Sequence, residues 1–113
     1  MCIRDRSIYD PVSETWRRGP SMITARAGFA AAATPTMILV AGGEVITTDP
    51  WRVVSGVEGI AAGSNRWSEM PSLPMSVHGL GAGVIRDNAF YVLGGSGLAG
   101  GVNNAGKVQV LRW

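Results

Sequence analysis

The residues that could do chemistry are few and scattered along this chain. His78 is the single histidine and Cys2 the single cysteine. One thiol makes no internal disulfide, and one Cys with one His does not supply a Cys/His zinc site. As a general base, His78 would need a nucleophile and an orienting acid, and its sequence neighbours provide neither. Asp10, Glu14, Asp49, Glu58, Glu69 and Asp87 share no period or pairing suited to acid–base work and read as turn formers or solvated charges. Two nucleotide signatures occur in part. Gly95, Gly97 and Gly100 spell G-x-G-x-x-G after an apolar run, but a dinucleotide site also needs a following helix and an acid about 20 residues on. Only 13 residues follow Gly100, none of them Asp or Glu. The run from Gly101 to Lys107 approaches a P-loop, yet Val108 stands where Ser or Thr must hold the metal. Both read as one glycine-rich turn. No catalytic residue, cofactor or metal is expected.

Composition narrows the partners. The net charge of +2 comes from scattered arginines, with Lys107 the only lysine, so no basic stripe forms for nucleic acid. The uncharged stretch 27–43 approaches the shortest membrane-spanning length, but Pro35 interrupts it and Gly28 and Gly43 punctuate it. No membrane span is expected. With 16 glycines and few charges, the chain suggests short strands joined by tight turns.

The elements that must position these residues emerge from an internal repeat. Trp16 and Trp67 lie 51 positions apart. Pro20-Ser21 and Pro71-Ser72 follow at matching offsets, as do Met22 and Leu73, then Gly28 and Gly79. The run from Met37 ends in Gly42-Gly43, and the run from Ala89 ends in Gly94-Gly95. Segment 57–60 matches 108–111, and Tyr9 stands ahead of Trp16 in the corresponding third-strand segment. Strands are expected at 28–34, 37–42, 53–61 and 65–68. The alanines from Ala30 to Ala33 favour helix by propensity, but Gly28 and Pro35 leave too little room, and strand is the reading adopted.

Tyr9-Asp10-Pro11, Trp16, Pro20 to Met22, Arg26-x-Gly28 and the apolar run into Gly42-Gly43 together resemble the kelch motif. The second copy resembles it too, with Val77 in place of the usual arginine, and the likeness covers residues 7–113. No Trp-Asp dipeptide marks a WD40 blade. The resemblance implies an all-β fold of kelch-type β-propeller blades, each a four-stranded antiparallel sheet. It implies structural roles for Tyr9, Trp16 and Trp67 as fillers between blades, and for Gly28, Gly42, Gly43, Gly79, Gly94 and Gly95 at turns and close approaches.

A closed propeller needs about 4–8 blades. The expected division is a non-native leader at 1–6, the end of a preceding blade at 7–18, a complete blade at 19–68 and a last, incomplete blade at 69–113. The other blades are expected in a missing N-terminal part of the same protein. The resemblance further implies a binding module, not an enzyme, recognising a protein segment or a glycan through face loops. Arg26 is the leading ligand-binding candidate, since its fork suits acidic side chains. His78 is placed near the propeller mouth. Trp51, on the excursion 44–52, is either a contact point or a lid over the blade edge. The alternative is the C-terminal part of a propeller enzyme, such as a galactose-oxidase-like oxidase or a sugar-acid epimerase.

Overall fold

The computed structural model describes residues 2–79, 83–99 and 106–113. Gly100, residues 101–105 of the P-loop-like run and residues 80–82 lie outside them. Among the described residues the chain is all β, with eleven strands and no helix. They are β1 (Arg6–Asp10), β2 (Thr15–Gly19), β3 (Ala30–Ala33), β4 (Met37–Ala41), β5 (Glu44–Val45), β6 (Arg52–Val53), β7 (Val57–Ala61), β8 (Ser68–Met70), β9 (Gly83–Arg86), β10 (Ala89–Leu93) and β11 (Val108–Arg112).

The pairing is antiparallel throughout. A central sheet runs β3-β4-β7-β8, a second runs β9-β10-β11, and β1-β2 and β5-β6 are separate two-stranded ribbons. No sheet closes into a barrel. Sequence neighbours pair because their turns are short and suited to it. Asp87 and Asn88 both hold left-handed φ, 51° and 55°, which is what a two-residue hairpin turn of the favoured twist demands. Between β3 and β4 the turn is Pro35-Thr36, where the Thr34 hydroxyl accepts from the Met37 amide at 3.2 Å.

Alternation sends the side chains of the central sheet to two interiors. Leu39, Ala41 and Val57 face the second sheet and pack with Phe90, Val92 and Leu111. Val40 and Ile60 face the opposite way, toward Met22 and Trp67. The two sheets meet through β3 and β9. Here the alanines earn their place in a strand, since only small side chains let a neighbouring sheet come so near. Ala30 is fully buried. Trp67 is also buried, its indole nitrogen donating to the Pro20 carbonyl at 2.9 Å with the Arg6 guanidinium 5.8 Å from a ring centre.

Several strands differ from expectation in their limits. The strand foreseen at 53–61 is divided, because residues 54–56 leave the ladder between β6 and β7. The outer strand starts later than foreseen, at Ser68, since Ser64 and Arg66 close a turn on each other and Trp67 turns inward. Residues 2–4, foreseen as standing outside the repeat, hydrogen-bond into it. The Met22 amide donates to the Arg4 carbonyl at 2.7 Å, as the Leu73 amide does to Ser55 at 2.8 Å. Tyr9 and Trp16, expected as fillers between blades, meet with tilted rings 5.1 Å apart and are exposed, because β1-β2 lies at the margin of the described residues.

The β1-β2 turn depends on Asp10, whose carboxylate accepts the Val12 amide at 2.9 Å and the Ser13 amide at 3.5 Å. The Val12 amide, then Ser13, hold its carboxyl below the usual aspartate range. A lowered acid contributes order above the unfolded-state value and loses it as pH falls through its own. The Val12 and Ser13 amide NMR signals should therefore hold steady through neutral and mildly acidic pH. They should shift, and lose protection relative to the intrinsic exchange rate, only below the ordinary aspartate range, while Asp10→Ala lacks that protection at every pH.

Candidate functional site

The candidate residues collect where the strands of both repeats begin and end. Three bridges knit this end, Ile3 to Arg26, Ala27 to Glu44 and His78 to Ser96. The last two are copies of one another, each joining the residue before a repeat glycine to the residue after a glycine pair. Gly42, Gly43, Gly94 and Gly95 carry φ of 67°, 103°, 69° and 90°, so both pairs turn the chain alike. At Gly43 a side chain is also barred by space, since a Cβ would lie 2.7 Å from the Ala27 carbonyl oxygen. Gly28 and Gly79 approach each other directly, the Gly79 amide donating to the Gly28 carbonyl at 2.8 Å.

Arg26 is 1% exposed. Its Nη1 donates to the Gly42 and Gly56 carbonyls, both at 2.8 Å, and its Nη2 donates to Glu58 Oε1 at 2.5 Å. Glu58 is equally buried, and its carboxylate also accepts the Ile23 amide at 2.7 Å and the Thr24 amide at 2.9 Å. A guanidinium removed from water must be paired on the spot, and this one is. Arg26, expected to line a ligand surface, instead faces the interior and joins the ends of β4 and β7 to segment 23–26.

His78 is buried as well. Its Nε2 lies 2.6 Å from the Leu98 carbonyl, which only accepts, so Nε2 carries the proton. Its Nδ1 stands 3.6 Å from Glu44 Oε1, an ion pair only when the ring is protonated. The Ser96 hydroxyl donates to the same Leu98 carbonyl at 3.0 Å. Serine and histidine thus both give protons to one acceptor, the Leu98 carbonyl. Glu44 and Ser96 were not singled out from sequence, because they reach His78 only through the folded bridges. Among the described residues no three His, Cys, Asp or Glu side chains gather as metal ligands.

Trp51 differs from both. It lies on the loop between β5 and β6 and keeps 54% of its surface exposed. The Thr48 hydroxyl is placed to donate to Val45 and Pro50 carbonyls, 3.3 Å and 3.0 Å away, which braces the loop beneath it. Elsewhere, a cleft of about 870 Å³ separates β1 from the central sheet, with Ile8, Phe29, Ile38, Val40 and Trp67 among its walls. No protein-family model matches the sequence, and no curated protein matches it.

The Arg26–Glu58 pair makes a quantitative claim. Arg26→Val should destabilise the fold by about 3–5 kcal/mol, since it strands a buried carboxylate. Glu58→Gln should also cost stability. The double variant, which copies Val77 and Gln109 of the second repeat, should cost less than the two singles together by about 0.5–3 kcal/mol. Urea unfolding of the four proteins measures this, and strictly additive losses would show that the two charges do not depend on each other.

Proposed function

We propose that this chain is part of a kelch-type β-propeller that serves as a binding module, recognising a protein segment or a glycan through loops at one end of its sheets. The observation that carries the reading is the pair of matched bridges, Ala27 to Glu44 and His78 to Ser96, at the same end of consecutive repeats. They support successive blades that deliver their loops to one common face. Loops held on a rigid scaffold are where binding residues concentrate, and these bridges hold theirs at one end. Trp51 is the residue best suited to contact, being large, rigid, exposed and carried on a braced loop. His78 and Ser96 shape a neighbouring turn by holding the Leu98 carbonyl, a supporting role in this reading.

The test is a screen of the longer protein against immobilised glycans and a displayed peptide library, followed by Trp51→Ala. Binding by the parent should weaken by roughly 30-fold in the variant, the loss of an interface hot spot of about 2 kcal/mol. A variant that binds as well as the parent would remove Trp51 from the site. Stoichiometric copper with oxidase turnover would replace the binding reading altogether.

A further inference from the structure

We propose, independently of the ligand reading above, that Glu44 and His78 form a proton-operated clasp between the two repeats. It is closed when the imidazole is charged and relaxed when the ring is neutral. Two backbone bonds cross this junction, from the Gly43 amide to the Val77 carbonyl at 2.7 Å and from the Gly79 amide to the Gly28 carbonyl at 2.8 Å. Glu44 follows Gly43 directly, and His78 stands between Val77 and Gly79, so both side chains leave the backbone at the crossing itself. Both nitrogens of the ring face acceptors. Nε2 meets the Leu98 carbonyl at 2.6 Å and keeps its proton there. Nδ1 meets Glu44 Oε1 at 3.6 Å. A neutral ring with its proton on Nε2 therefore turns a lone pair toward a carboxylate, and the two acceptors repel. The imidazolium puts a donor and a positive charge in that place.

Burial strengthens the demand for that proton. The His78 side chain is 8% exposed and that of Glu44 16%, so water and salt screen the contact less than they would a surface pair. Glu44 Oε2 is buried with no hydrogen-bond partner among the described residues. Among those residues Glu44 is also the one charged group paired with the ring. Gly28 faces the ring from the preceding repeat, an added Cβ there lying 3.8 Å from Nδ1. Ser96 and Leu98 approach from the turn beyond β10 and carry no charge. Arg26 stands two positions before Gly28, but its guanidinium is held by the Gly42 and Gly56 carbonyls and by Glu58. The Cys2 thiol reaches the Glu44 backbone carbonyl at 3.5 Å. Closing the clasp couples two stretches that share no sheet. Glu44 opens β5, at the foot of the loop that carries Trp51, and His78 sets the Leu98 turn. Proton uptake at one ring tightens both together.

A contact made by the charged ring is present at low pH and is lost as pH rises through the titration of that ring. Amide exchange of the full chain, divided by the intrinsic rate at each pH, tests this between about pH 5.5 and 8. Ordinary carboxylates stay ionised over that window, so the imidazole is the group that changes. Protection of the Gly43 and Gly79 amides should fall by about 5-fold toward the higher pH, the size expected of one partly screened ion pair. The amides of β4, bonded inside the central sheet, should keep theirs. Glu44→Gln should abolish the fall yet retain the protection, because a carboxamide offers a donor to the neutral ring and an acceptor to the charged one. His78→Gln, which takes up no proton, should abolish the fall as well. Equal protection at both pH values in the parent, a rise with pH, or a fall that survives in Glu44→Gln would each overturn the proposal. So would a fall of the same size across β4, since that marks loosening of the whole fold and not release of one clasp.

Discussion

One buried ion pair ties segment 23–26 to the central sheet. The Arg26 guanidinium binds the carbonyls at the end of β4 and just before β7, while Glu58 binds the amides of segment 23–24. Segment 23–26 is thereby tied to the ends of two strands that their own ladder already holds in register. Desolvating two charges is costly, and replacing such a pair by apolar groups is often neutral or better for stability. The benefit here is added donors at the strand ends, where the Gly42 carbonyl takes Arg26 and the Gly56 carbonyl takes both Arg26 and the Gly42 amide at 3.0 Å. The second repeat keeps only the acceptor half of this arrangement, and without charge. Val77 stands in Arg26's place and Gln109 in Glu58's, and the Gln109 carbonyl oxygen accepts the Met75 amide at 2.7 Å. Pro74 occupies the position of Ile23, so one of the two amide donors is missing and one acceptor suffices.

This substitution also shows what the sequence made legible and what it concealed. The all-β class, the repeat and the places of the main strands followed from Trp16 and Trp67, the paired glycines and the turn residues, because these are local signals. Asp10 and Asp87 were read as turn formers, and both sit in hairpin turns. Glu58 was grouped with them, although it lies deep in the interior. Its partner is 32 positions away, and no local pattern records such a distance. A usable signal was nonetheless present. Between the two repeats Arg26 becomes Val77 and Glu58 becomes Gln109, so both charges vanish together, as a mutually dependent pair requires.

The strand limits were less legible for a related reason. Residues 54–56 read as β by composition, yet they fall outside the strands, and the Gly56 carbonyl divides itself between the Gly42 amide and Arg26. A side chain from outside the strands, that of Arg26, thus meets the backbone where β7 begins. The same holds for β8, whose start follows from Trp67 reaching across to Pro20. Propensity describes a segment alone, and these limits belong to contacts between segments.

Stacking has a further consequence for where recognition can occur. Within the stack, a sheet buried on both sides has given its faces to its neighbours, and its edges are short. In the proposed binding reading the loop ends are the surface for other molecules, where glycine pairs turn the chain and bridges hold the turns. Rigidity there is unequal. Glu44, His78, Ser96 and the Leu98 carbonyl interlock and are largely withdrawn from solvent, whereas Trp51 stands out on a loop braced only at its base by Thr48. Buried polar groups give the end its shape, and an exposed aromatic gives it contact area at small entropic cost. The two tasks thus fall to different residues, and the side chain with the strongest chemistry, Arg26, is the one committed to holding the fold.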